Sequence, residues 1–105
     1  MASSPEIDLE QFAASHSSGT VLDVREPEEY VAGHVPGALL MPTEQLPNRI
    51  SELDPDQPVF VICASGRRSS AMTELLRAAG FDARSVTGGT TAWVDSGRLV
   101  EEGRR

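Results

Sequence analysis

The sequence predicts an α/β domain with a mostly parallel central sheet and helices on both faces. Three observations predict it. Short apolar, β-branched runs alternate along the chain with segments of helical periodicity. The connections between successive runs are long enough for the crossovers that parallel neighbours require. The run VFVI, Val59–Ile62, is apolar on both faces, as a central strand covered on two sides must be.

The elements follow in order. Met1 to Pro5 reads as a frayed start. Asp8 caps a first helix, and Gln11 three residues later completes a capping-box pattern. Leu9, Phe12 and Ala13 give that helix its apolar face, and SHSSG ends it at Gly19. TVLDV, Thr20–Val24, reads as a buried strand. A short helix follows. Pro27 suits its first turn, Glu28 and Glu29 suit its positive N-terminal end, and Gly33 is expected to close it in the left-handed conformation. HVPGA is a turn, and ALLM, Ala38–Met41, is a second strand. Thr43 is expected to cap the next helix, whose inner face carries Leu46, Ile50 and Leu53, with Pro47 in its first turn. DPDQP then turns the chain into VFVI. The helix after Cys63 carries Met72, Leu75, Leu76 and Ala79 on one face and closes at Gly80. FDARSV gives a last strand, TGG a turn, and TTAWVDSG a final helix with Trp93 facing inward. EEGRR reads as a mobile tail.

A chain of 105 residues, 39% of them hydrophobic, suits one domain with a modest core. Its formal charge of −7 argues against non-specific binding to nucleic acid or to an anionic membrane. No apolar run approaches the length of a membrane span. MASSPEIDLEQ has neither the basic region nor the apolar core of a signal peptide, and a free thiol without an export signal points to the cytoplasm. Cys63 is the single cysteine, so no internal disulfide forms. One cysteine and two histidines, His16 and His34, also fall short of a structural zinc site.

That one thiol stands where an α/β sheet places ligands, beyond the carboxyl end of its central strand. The loop Ala64-Ser65-Gly66-Arg67 leads into a helix whose first turn holds Arg68, Ser69 and Ser70. The first amides of a helix lack internal partners, and its dipole adds partial positive charge. Gly66 lets the backbone curl into an anion-binding nest, and Arg67 and Arg68 add full charges. Each feature favours thiolate over thiol, and such settings lower a cysteine pKa from about 8.5 to about 3.5–7.5. The plainer alternative is a small apolar residue filling a strand end.

Three segments carry a family resemblance. LDVREPEEYVAGHVPGALLMP (Leu22–Pro42), CASGRRS (Cys63–Ser69) and TGGTTAW (Thr87–Trp93) resemble, in order and spacing, the N-terminal signature, active-site loop and C-terminal signature of rhodanese-like domains. The resemblance covers about residues 5–100 of a single domain spanning 1–105. It departs from the usual pattern at Val35 and Thr87, neither of which bears on the chemistry. It implies a mainly parallel five-stranded sheet flanked by helices, and a sulfurtransferase. In that reading the Cys63 thiolate takes sulfane sulfur from a small anionic donor such as thiosulfate, carries it as a persulfide, and passes it to cyanide or a thiol. No metal or organic cofactor is required. Residues Ala64 to Ser69 form the loop around the substrate and persulfide, with Arg68 the first choice for a substrate-facing charge and Arg67 the second. Phosphatases and arsenate reductases on related folds resemble Cys-x5-Arg, whereas the arginines here lie at the fourth and fifth positions after Cys63, which makes the smaller loop. A reading of another class is a sulfur-relay or thiol-sensing module whose donor or acceptor is a protein.

Asp23 and Arg25 end a strand on the same sheet edge as Cys63 and resemble the family's paired Asp and Arg. They read as a supporting ion pair or cap rather than as catalysts. His34 reads as a turn histidine bonded to backbone, His16 as a surface residue, Gly88 and Gly89 as a tight turn, and Trp93 as a core anchor. Arg49, Arg77 and Arg84 read as ordinary surface charges.

Overall fold

The computed structural model describes residues 5–103. Five strands form one sheet: β1 Glu6–Ile7, β2 Thr20–Asp23, β3 Leu39–Leu40, β4 Val59–Ile62 and β5 Ala83–Val86. Their order across the sheet is β1-β5-β4-β2-β3, and every pairing is parallel. Among the described residues four α-helices connect successive strands, α1 Leu9–Ser15, α2 Pro27–Ala32, α3 Leu46–Arg49 and α4 Arg67–Ala78, and α5 Gly89–Asp95 follows β5. The expected α/β architecture is therefore present, with the sheet parallel throughout.

The apolar pattern explains the two faces. All four residues of β4 are buried, and their alternation splits the core in two. Phe60 and Ile62 point toward Phe12 of α1, Tyr30 of α2 and Trp93 of α5. Val59 and Val61 point toward Leu46 of α3 and Leu76 of α4, and Cys63 continues that face past the strand end. The Phe12 ring meets Phe60 and Trp93 edge-on, at centroid separations of 5.7 and 5.5 Å. Trp93 is fixed in addition by its indole N–H, which donates to the Leu99 carbonyl at 2.7 Å.

Several local expectations are corrected. A fifth strand, Glu6–Ile7, adds to the sheet edge beside β5. Gly33 closes α2 in extended rather than left-handed conformation, with φ of 164°. Thr43 caps no helix. A turn after Pro42 precedes α3, which runs straight into a 3-10 turn at Ile50–Glu52 while Leu46 and Leu53 still face the core. Ala79 is exposed, while Leu76 is buried with Met72 and Leu75 packed beside it as expected, and Ser69 and Thr73 join that inner face. His16 is half-buried, its ring 5.6 Å from that of Trp93. Glu101 to Gly103 are held rather than loose: His34 and Glu101 exchange backbone hydrogen bonds at 2.8 and 2.9 Å, and the Gly103 amide donates to the Val31 carbonyl. Arg104, Arg105 and the start Met1–Ser4 lie outside the described residues.

The fully buried Phe12 joins α1 to the sheet and to α5. Phe12→Ala is expected to destabilise the fold by about 3–5 kcal/mol, whereas Leu99→Ala, at a side chain 82% exposed, should stay within about 0.5 kcal/mol of the parent. Urea unfolding followed by tryptophan fluorescence measures both.

Candidate functional site

β4 is the middle strand of five, so its carboxyl end opens between the ends of β2 and β5. Cys63 is the next residue, and it is only 1% exposed. The chain then turns through Ala64 and Ser65 to Gly66, whose φ of 112° lies where side-chain-bearing residues are strained. That turn folds the loop back over the sulfur. The Gly66 amide donates to Sγ at 3.1 Å and the Ser69 amide at 3.3 Å, with the Ser65 amide as a third donor. The Ser69 hydroxyl lies 3.4 Å from Sγ. Burial pushes the thiol pKa up, but the Ser69 hydroxyl and these three amides outweigh it and hold the group below its ordinary value. The expected nest thus forms around Cys63 itself, built by its own loop and the first turn of α4.

The loop's outward-facing carbonyls need partners, and α5 supplies them. The Thr90 amide donates to the Cys63 carbonyl at 2.8 Å and the Thr91 amide to the Ala64 carbonyl at 3.0 Å. This contact demands glycine at position 89. A Cβ there would lie 2.4 Å from the Cys63 carbonyl oxygen, and its φ of 60° is already positive. Gly88–Gly89 was legible as a tight turn, but its role as the buttress of the cysteine loop was not. Its only signal was two adjacent glycines in front of a helix.

Two of the arginines near the loop are paired with carboxylates. Asp23 and Arg25 are buried and joined through both carboxylate oxygens, with nitrogen–oxygen distances of 2.8–3.2 Å. Arg25 also donates to the Gly33 carbonyl at 2.8 Å, which ties the end of β2 to the end of α2. Arg68, at the rim, makes a two-point pair with Glu29 at 2.9 and 3.1 Å. Glu29 also accepts from the Glu26 amide at the start of α2. The hydrogen bond from Arg68 holds the Glu29 carboxyl down to about 2. Arg67 is exposed. His34 is fully buried away from the loop, stacked on Tyr30 with Nδ1 2.7 Å from the Tyr30 carbonyl.

Beside the loop lies an open cleft of about 480 Å³. Ala64 forms one wall, Glu29 and Gly33 another, and Thr90, Val94 and Val100 much of the rest. The Thr90 hydroxyl is buried and has no hydrogen-bond partner among the described residues. Among the described residues no cluster of three metal-ligating side chains occurs, and no helix is long and apolar enough to cross a membrane.

Comparison with known proteins gives a consistent result. The family described as Rhodanese-like domain matches residues 8–96. A Bacillus subtilis (strain 168) protein bearing the name "Putative sulfur carrier protein YrkF" is 40% identical over 83 residues, which make up 76% of this chain and 45% of that relative. The match thus takes in less than half of that relative's length. A rhodanese-related protein from Thermoplasma volcanium superposes with a TM-score of 0.88 at 33% identity, covering 91% of this chain and 96% of the other. A rhodanese-like domain protein from Staphylococcus aureus gives 0.84 at 30% identity, covering 94% and 98%.

Two outcomes follow from this geometry. Gly89→Ala should lower stability by more than about 1 kcal/mol and slow alkylation of Cys63, because the added methyl displaces the loop; chemical unfolding and iodoacetamide labelling report the two effects. Glu29 has a folded pKa of about 2 against an ordinary 4.5, so its pairing stabilises fully above pH 4.5 and is lost as pH falls toward 2. Glu29→Gln should flatten the acid limb of a stability–pH curve in that window by about 1 kcal/mol or less, since the pair is partly exposed.

Proposed function

The chain belongs to the rhodanese-like domain family, and from that premise we propose that it is a sulfurtransferase working through a persulfide on Cys63. The observation that carries this reading is the convergence of three backbone amides and the Ser69 hydroxyl on one buried sulfur. Such a cradle stabilises an anionic sulfur whether it is a thiolate, a persulfide or a group partway between them.

The reaction balances without a cofactor. The Cys63 thiolate attacks the outer sulfur of thiosulfate, a new sulfur–sulfur bond forms, and the old one breaks with its electron pair leaving on sulfite. The terminal sulfur of the persulfide carries the negative charge and rests among the amides of Ala64 to Ser69. Cyanide or a thiolate then attacks that sulfur, leaves as thiocyanate or a new persulfide, and returns Cys63 as thiolate. Arg68 sets the rim of the loop through Glu29, and Arg67 stands on the solvent side where a small anion arrives. Asp23 and Arg25 brace the scaffold beneath.

A second reading has its own support: a relay in which the donor or acceptor is a polypeptide. Val94 and Val100 line the cleft beside Ala64, and both are exposed, at 47% and 36%. Leu99, next to Val100, is 82% exposed. An apolar rim of this kind suits a docked chain better than a free anion. The name of the Bacillus subtilis relative points the same way.

Intact mass spectrometry of reduced protein incubated with thiosulfate is expected to show gain of one sulfur atom, reversed by cyanide with release of thiocyanate. Cys63→Ser should show neither. Absence of the adduct on folded, reduced protein would remove thiosulfate as donor and leave the relay. Oxidation of Cys63 to the sulfenic acid by peroxide, with no loading from any persulfide, would replace both with a sensor.

A further inference from the structure

Ser85 is a buried hydroxyl with no evident duty in the fold. It sits in β5, 2% exposed, on the same sheet face as Val61 and Ala83. An alanine or valine would suit that apolar face better, since a buried hydroxyl costs free energy unless it is well bonded. Among the described residues its side chain has one partner, the Ser69 hydroxyl, at 2.7 Å. Ser69 Oγ is in turn 3.4 Å from Cys63 Sγ.

We propose that Ser85 is a positioning residue that sets the direction of the Ser85–Ser69–Cys63 hydrogen-bond chain, so that the Ser69 proton points at the sulfur. The two states of Cys63 differ in how many protons the chain can place. With Cys63 as thiolate, Ser85 donates to Ser69 and Ser69 donates to Sγ; both hydroxyl protons and the sulfur are satisfied. With Cys63 as thiol the chain has two arrangements, and each strands a proton. If the direction is kept, the S–H has no acceptor within the chain. If it reverses, S–H donates to Ser69 and Ser69 to Ser85, and the Ser85 proton points into the apolar core. In the reversed arrangement the unmet Ser85 proton is costly; in the kept one the Ser69 hydroxyl exchanges a charge-assisted bond to thiolate for a weak bond to neutral sulfur, so the array favours the anion. The inference rests on the reading of Cys63 as a nucleophile but not on sulfur transfer itself.

The charged groups around the sulfur are accounted for separately. Arg68 of α4 is coupled to it and is tied to Glu29 of α2. The Asp23–Arg25 pair closes on itself beyond β2. Arg84 of β5 is exposed on the opposite side of its strand, and Asp95 of α5 is exposed at the cleft. None of these groups is altered by a change at Ser85.

The test is the pH profile of Cys63 alkylation by iodoacetamide, which needs no sulfur donor and so stands or falls apart from the activity. Ser85→Ala is expected to move the midpoint upward and to slow alkylation about 3- to 10-fold below it, while the plateau rate at high pH is unchanged. Ser85→Thr, which keeps the hydroxyl, should restore the profile. In a Ser69→Ala background the further change Ser85→Ala should have no effect on the midpoint, because the chain is already cut. An unchanged midpoint in folded Ser85→Ala would overturn the proposal. So would a shift that persists without Ser69, or a slowing equal at every pH, which would mark Ser85 as a packing residue.

Discussion

Two hydrogen bonds hold the rest of the site in place: those from the Thr90 and Thr91 amides to the carbonyls of Cys63 and Ala64. A peptide unit that turns its carbonyl one way turns its amide the other. By drawing these carbonyls toward itself, α5 lets the following amides face inward onto the sulfur. The arrangement sets the tip of one element against the backbone of another, and only a glycine at position 89 leaves room for it. Trp93 and Phe12 anchor α5 to the sheet, so the core packing of one face fixes the electrostatics at its edge.

The charge distribution follows from this division of labour. Two of the three arginines near the sheet's carboxyl edge, Arg25, Arg67 and Arg68, are spent on carboxylates, Arg25 on Asp23 and Arg68 on Glu29. The groups that face the sulfur are thus mainly backbone dipoles, which cannot rotate away or be screened by salt to the same degree as side-chain charges. The guanidinium groups act as braces: one joins β2 to α2 through Gly33, and the other joins α4 to α2 across the rim.

Much of the fold was legible because its signals are local. VFVI had to be central, the helix after Cys63 had to begin where it does, and the loop chemistry stood in consecutive residues from Cys63 to Ser69. Apart from the local misses at Gly33 and Thr43, the failures are non-local. Glu6–Ile7 is too short to show a period and exists as a strand only because β5 offers it an edge. The inner face of α4 includes the polar Ser69 and Thr73 beside the apolar Met72, Leu75 and Leu76, and Ser69 is there because the N-terminal part of that face meets the sulfur as well as the core. The last segment is polar and looks like a tail, yet its backbone pairs with His34 and Val31. Ser85 sits in a strand that reads as ordinary, and its partner is sixteen residues away.

The near-complete burial of Cys63 has a kinetic meaning of its own. A sulfur seen from outside only through a ring of backbone sorts reagents by girth before it sorts them by reactivity. Any reagent must reach the sulfur past the loop Ala64–Ser69, so its width bears on its attack as well as its reactivity. The protein therefore resembles a sieve placed ahead of a reactive atom, and its selectivity is a property of the opening as much as of the thiol.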